Sequence, residues 1–309
     1  MSEESSVVVG VDGSEHSLRA LGWALSAARG IGAPLLVAHV RSDALQLGSA
    51  RIASLGGTPE IPDTVADGVR AWVERHGAQV SVRYLSLDGT VTDALLPLCR
   101  DARLLVIGSR GHGGFATLLL GSTSRALAAS AACPVVVVPH EARTVSLESG
   151  AGAGRVLLGL HTEETADDVI DFAFRAAAQR GVALEAVTAF RLPASPAMLV
   201  GPPAPALQMP PQMAMSEATE LVAETERRQA ERLRPSAERY PDVEVVADVV
   251  PADAAGRLVE ASRTAGLVVV GRHRHRPRME SLLMGSVTHA VLHHAHCPVA
   301  VVPAATAPH

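Results

Sequence analysis

Lysine is absent from this chain: all 27 basic residues are arginine, set against 32 acidic residues and a formal net charge of −5. That absence excludes a Walker-type phosphate lysine and a Schiff-base nucleophile. Aromatic residues make up only 3% of the 309 positions. No aromatic stripe is therefore available for stacking nucleic-acid bases, and nucleic acid is not an expected partner. Cysteine is scarce too: Cys99, Cys133 and Cys297 form no C-x-x-C pair and suggest no disulfide framework. Cys133 and Cys297 each precede a proline and an apolar run, the setting of a packed thiol rather than a reactive one. No apolar stretch approaches the roughly 20 residues of a membrane span. The opening Met1-Ser2-Glu3-Glu4 is acidic, unlike a basic signal region, so the cytoplasm is the expected compartment and no membrane partner is expected.

What is present is a glycine loop between a strand and a helix. Val106-Ile107-Gly108-Ser109-Arg110-Gly111 reads as a buried strand running into a turn, and Gly121-Ser122-Thr123 precedes a helical pattern. A phosphate needs several backbone N–H groups converging on it, and residues without Cβ let the main chain come close. Gly108, Gly111, Gly113 and Gly114 supply that freedom. Unpaired N–H groups at the helix start, with the Ser122 and Thr123 hydroxyls beside them, complete an anion cradle that would accommodate a triphosphate. Arg110 and His112 lie within the loop, where a cation pairs with phosphate oxygens or is simply a solvated surface group.

The chain repeats itself. Leu119-Leu120-Gly121-Ser122 recurs as Leu283-Met284-Gly285-Ser286, and Cys133-Pro134-Val135 recurs as Cys297-Pro298-Val299, both at an offset of 164 (285 − 121 and 297 − 133). Val/Leu runs without alternation signal strands buried on both faces, and helical patterns separate them. The expected architecture is α/β: two tandem doubly wound domains, each a five-stranded parallel sheet covered by helices on both faces. The expected boundaries are 1–142 for the first domain, 143–154 for a Gly-rich linker and 155–309 for the second domain. In the first copy the expected helices include 90–100. In the second, a Pro-rich stretch from Pro193 to Pro211 precedes a charged helix from Glu217 to Arg239.

The spacing Gly108-x2-Gly111-x9-Gly121-Ser122 resembles, without a gap, the nucleotide loop of ATP-binding universal stress proteins. Val7-Val8-Val9-Gly10-Val11-Asp12-Gly13-Ser14 is similar to the first strand and turn of that family, and Cys133 to Pro139 to its last strand. The resemblance implies strand order 3-2-1-4-5. It also implies an ATP site in the first domain built from Gly10, Asp12, Val40, Gly108, Arg110, Gly111, Gly121, Ser122 and Thr123. Asp12 would accept ribose or adenine hydrogen bonds, and Val40 would offer main-chain atoms to adenine; the bland alternative for Asp12 is a helix cap. A triphosphate normally recruits Mg2+, and the residues alone leave its presence open. No catalytic or metal-ligating residue is expected, since His289 and His293 stand at i, i+4 without an accompanying carboxylate.

The second copy departs from the family pattern. His161 stands where the first copy has Asp12, Arg274 replaces the middle glycine, and Gly271 and Gly285 are 14 positions apart against 13 for Gly108 and Gly121. Arginines and Pro277 in the loop 272–278 spoil a backbone cradle, which favours a solvated basic loop on a domain without its ligand over an arginine anion grip. The leading functional expectation is a nucleotide-dependent regulatory or stress-response protein holding ATP in the first domain and hydrolysing it slowly at most. It would act on a regulatory protein partner that the sequence does not identify. The last strands would dock the two copies on each other, with further association into a homodimer. The rivals are a ligand-free interaction module and an adenylyl- or pyrophosphate-transfer enzyme.

Overall fold

The structure, a computed structural model, describes residues 5–41, 64–76, 79–111, 120–140, 154–190, 211–272 and 284–304. The first half contributes strands β1 (Val7–Val11), β2 (Leu35–Arg41), β3 (Val82–Asp88), β4 (Leu104–Gly108) and β5 (Val135–Val138). The second contributes β6 (Arg155–Gly159), β7 (Leu184–Ala189), β8 (Val245–Val250), β9 (Ala265–Gly271) and β10 (Val299–Val302). All ten form one sheet in the order β3-β2-β1-β4-β5-β10-β9-β6-β7-β8. Each half is parallel throughout, in the order 3-2-1-4-5 that the resemblance implied.

The two halves meet where β5 pairs antiparallel with β10, Val136 opposite Ala300. These short runs carry no charge to blunt an edge, and pairing with each other removes the exposed row of backbone donors and acceptors. Val136 and Ala300 are both fully buried. Because strand direction inverts at this seam, the carboxyl ends of the two half-sheets point to opposite edges of the molecule.

Helices cover both faces, which is why the central strands are apolar without alternation. On one face lie α1 (Glu15–Ile31), α2 (Thr64–His76), α5 (Asp167–Arg180) and α6 (Pro211–Arg239); on the other lie α3 (Val91–Leu95), α4 (Ser122–Ser130), α7 (Ala254–Ala261) and α8 (Ser286–His294). Each of the two apolar layers runs through the seam. Val136 and Ala300 belong to one, Val137 and Val299 to the other. The expected helix over 90–100 is broken: α3 ends at Leu95, and Pro97–Arg100 continues as a 3-10 turn. Pro97 has no N–H to donate one turn back, and its ring crowds the preceding carbonyl. The charged helix of the second half begins at Pro211, earlier than its expected Glu217 start, and carries Pro235 inside it.

Candidate functional site

In an open parallel sheet a ligand binds beyond the carboxyl ends of the strands where the winding reverses. In the first half that point lies between β1 and β4, which are direct neighbours. Asp12 follows β1, and Ser109, Arg110 and Gly111 follow β4, so topology brings the two informative segments together across about a hundred residues of chain.

Asp12 is held by the turn into α1. Its Oδ1 accepts from the Ser14 N–H at 3.0 Å and from the Ser14 hydroxyl at 2.6 Å. Ser14 is the N-cap of α1, its Oγ accepting from the Ser17 N–H at 3.2 Å. The cap therefore belongs to Ser14, and Asp12 orients the cap. The other carboxylate oxygen faces the glycine loop: a Cβ placed on Gly111 would lie 2.5 Å from Asp12 Oδ2. A Cβ on Gly108 would lie 3.0 Å from the His16 carbonyl oxygen. Gly108 is thus required by close approach of backbone, while a side chain at Gly111 would displace the Asp12 carboxylate.

Gly121 is the N-cap of α4, with no side chain capping the helix, and its N–H donates to Ser109 O at 2.8 Å. The Ser124 hydroxyl donates to Gly108 O at 2.8 Å, tying the helix to the end of β4. Ser122 is exposed and Thr123 half-buried at the first turn. The start of α4 is thereby fixed beside the glycine turn, with no side chain among the described residues capping it. Gly10 lies in β1 and Val40 near the end of β2, in the adjacent strand. Residues 112–119, including His112, Gly113 and Gly114, lie outside the described residues.

Two residues not singled out in the sequence join this site. The rings of His16 and His140 meet edge to face with centroids 4.2 Å apart. Among the described residues, neither ring's buried Nδ1 has a hydrogen-bond partner. Burial depresses the His16 pKa, and His140, Arg110 and Arg19 add to the depression, with Glu15 opposing it. Asp12, Arg110, His16 and His140 thus all follow or flank the carboxyl ends of the first half-sheet. The missed members of the site were invisible because a lone histidine gives no pattern until the fold supplies its neighbour.

The second half keeps the same frame with different chemistry. His161 takes the place of Asp12 as turn acceptor, its Nδ1 receiving the Glu164 N–H at 3.2 Å and the Glu163 N–H at 3.4 Å. The Thr288 hydroxyl donates to Gly271 O at 2.9 Å, repeating the Ser124 tie. The described part of this crevice holds a cavity of about 310 Å³. Of the arginine-rich loop, Arg272 is described, and 273–280 lie outside the described residues.

Cys99, Cys133 and Cys297 are free and buried, and burial pushes the Cys297 thiol up to about 12. The His289 and His293 rings lie 4.5 Å apart, and among the described residues no group of three side chains suited to a metal ion occurs. No helix among the described residues is long and apolar enough to cross a membrane.

This geometry defines an α/β crevice beyond the carboxyl ends of a parallel half-sheet, present in two copies. The model of the Universal stress protein family matches residues 5–139 and 153–303. A universal stress protein of Mycobacterium tuberculosis is 34% identical over 97% of both chains, and one of Mycolicibacterium smegmatis is 33% identical over 97% of both. The crystal structure of a universal stress protein from Archaeoglobus fulgidus superposes with a TM-score of 0.62 at 16% identity, covering 98% of this chain and all of that one. A functionally unknown protein from Pseudomonas aeruginosa superposes with a TM-score of 0.63 at 14% identity, covering 98% and 93%. The chain belongs to the universal stress protein family, in a tandem two-domain form.

Proposed function

We propose that this protein binds ATP in its first domain and acts as a nucleotide-dependent regulator. The observation that carries the reading is the close approach of the Asp12 carboxylate to the Gly111 turn, which a side chain at 111 would push aside. A carboxylate beside a glycine turn and an uncapped helix start offers an acceptor for sugar hydroxyls and donors for phosphate oxygens in one crevice. A ligand with both groups, a ribonucleotide polyphosphate, matches that pair. Mg2+ would accompany it through the phosphates.

Binding without rapid turnover fits the groups present. No lysine exists to stabilise a leaving phosphate, and Asp12 is engaged in its turn rather than poised as a general base. Regulation requires that ATP favour one conformation over another, since equal affinity shifts nothing. The proposed recipient is a protein partner, within a cytoplasmic homodimer of the tandem chain.

The test is nucleotide released from the purified protein, followed by thermal unfolding with added ATP. The expected result is adenine nucleotide near one per chain and an ATP-dependent rise in Tm. Gly111→Val and Asp12→Ala should each abolish that rise. Protein that carries no nucleotide and gains no stability from millimolar ATP would favour the ligand-free module instead. Phosphate release well above about one turnover per minute would favour an enzyme, since typical kcat values are far higher still.

A further inference from the structure

We propose that Cys99 and Cys133 form a redox-active dithiol in the first domain, a site that a peroxide converts into an intramolecular disulfide. The proposal goes beyond the ATP reading and does not depend on it. Its geometry comes from the strand order. Cys99 lies in the 3-10 turn that leads into β4, and Cys133 stands two residues ahead of β5, the strand beside it. The Leu105 N–H donates to Pro134 O at 2.9 Å, which brings the entrances of the two strands together. Both side chains are buried in the same apolar layer, and their thiols are hydrogen-bonded to each other. Sulfurs in such contact need to close by only about 2 Å to reach bonding distance.

The second half supplies a comparison within the chain. Setting Gly271 on Gly108 places Ser262 where the first half has Cys99, since 271 − 108 and 262 − 99 are both 163. Ser262 is as buried as Cys99, and its hydroxyl donates to Val259 O at 2.6 Å and accepts the His296 N–H at 2.9 Å. The fold therefore accepts an oxygen at this position. The sulfur is particular to the first half, where a second sulfur faces it. Cys297, the third cysteine, is held away from the pair. Antiparallel pairing sets Val299 opposite Val137 and Val301 opposite Val135, so Cys133 and Cys297 enter the seam from opposite ends.

The surroundings favour thiol chemistry. Donation from Cys133 holds the Cys99 thiol below its ordinary range, so Cys99 ionises first, while the same bond and then burial push Cys133 up. The Arg272 guanidinium reaches across from the second half, bonds Ala131 O at 2.7 Å and stands beside Cys133. Its charge favours negative charge on that sulfur. Access is through the turn itself: Pro97 and Arg100 are exposed, and Pro97 donates no backbone bond, so local opening of this short segment uncovers the pair.

In the first step the Cys99 thiolate attacks one peroxide oxygen; an S–O bond forms, the O–O bond breaks, and the departing hydroxide takes up the proton that Cys99 released. In the second, the Cys133 sulfur attacks the Cys99 sulfur; the S–S bond forms, the S–O bond breaks, and the departing hydroxide leaves as water with the Cys133 proton. Two thiols are oxidised to one disulfide, and hydrogen peroxide is reduced to two waters.

The experiment is treatment of the full chain with excess hydrogen peroxide, then denaturation, alkylation of the remaining thiols and peptide mass mapping with and without a reductant. The expected result is loss of two of the three thiols, a link between Cys99 and Cys133 within one chain, and recovery of both on reduction. Cys297→Ser should leave the link intact. Cys99→Ser places in the first half the side chain that the second half already accommodates, so it should keep the parent Tm and abolish the link. Cys133→Ala should leave Cys99 as a sulfenic acid that dimedone traps. Retention of all three thiols, a link through Cys297 or between chains, or sulfinic acid at Cys99 of the parent chain without a link would each overturn the proposal.

Discussion

At the scale of single residues, the first crevice is governed by contacts too close for an added atom. His16 gives a pH prediction. Its folded pKa is depressed by burial first and by His140, Arg110 and Arg19 after it. A base depressed on folding binds its proton better in the unfolded chain, so stability falls as pH drops below the ordinary histidine value of about 6.5. His16→Gln should therefore lose less thermal stability than the parent between pH 7 and pH 5.5, read as the difference in Tm. An equal loss in both would remove His16 as the cause. Ser124 gives a second prediction. Its hydroxyl is buried and bonded to Gly108 O, so Ser124→Ala leaves that carbonyl without its partner and should cost about 1–3 kcal/mol. Denaturant unfolding would measure the cost, and weaker ATP stabilisation should accompany it, because the tie positions the helix start at the glycine turn.

At the scale of elements, α1 links stability to the site through its cap. Ser14→Ala removes the acceptor for the Ser17 N–H and the donor to Asp12 at once. The expected loss is about 1 kcal/mol in denaturant unfolding. ATP affinity should fall as well, because Asp12 loses one of its orienting bonds; unchanged affinity would detach the cap from the site. The elements themselves were largely legible. Valine-rich runs such as Val7–Val11 and Val135–Val138 announce doubly buried strands through their lack of alternation. The helix expected over 90–100 was over-extended because a periodic apolar pattern outvoted Pro97, which turns the chain into a 3-10 segment. The glycine spacing marks Gly108 and Gly111, where the chain comes close to other groups, and Asp12 stands out by resemblance to the first strand and turn of the family. His16 and His140 left no such trace, since their pairing exists only once the fold brings the start of α1 to the end of β5. The second cavity was illegible for a related reason: the sequence shows which glycines are lost, while free volume depends on walls drawn from six separate elements.

At the scale of the whole molecule, the ten strands and two apolar layers are continuous through the β5–β10 pairing. Ala300 is fully buried opposite Val136 at the centre of that seam. Ala300→Glu would bury a charge with no partner there, and the effective penalty after relaxation is several kcal/mol. The expected outcome is a large drop in denaturation midpoint as the halves part. An unchanged midpoint would show that the seam contributes little.

The inversion at that seam also decides how the two crevices can speak to each other. They open on opposite rims, so no single small molecule reaches both, and any message between them must pass through the body of the protein. The bond from Arg272 to Ala131 stands on such a route: it joins the rim of one half to the far end of α4, the rod whose near end lies at the glycine turn of the other. Two stimuli arriving from opposite sides would thus be weighed on a lever only nine residues long.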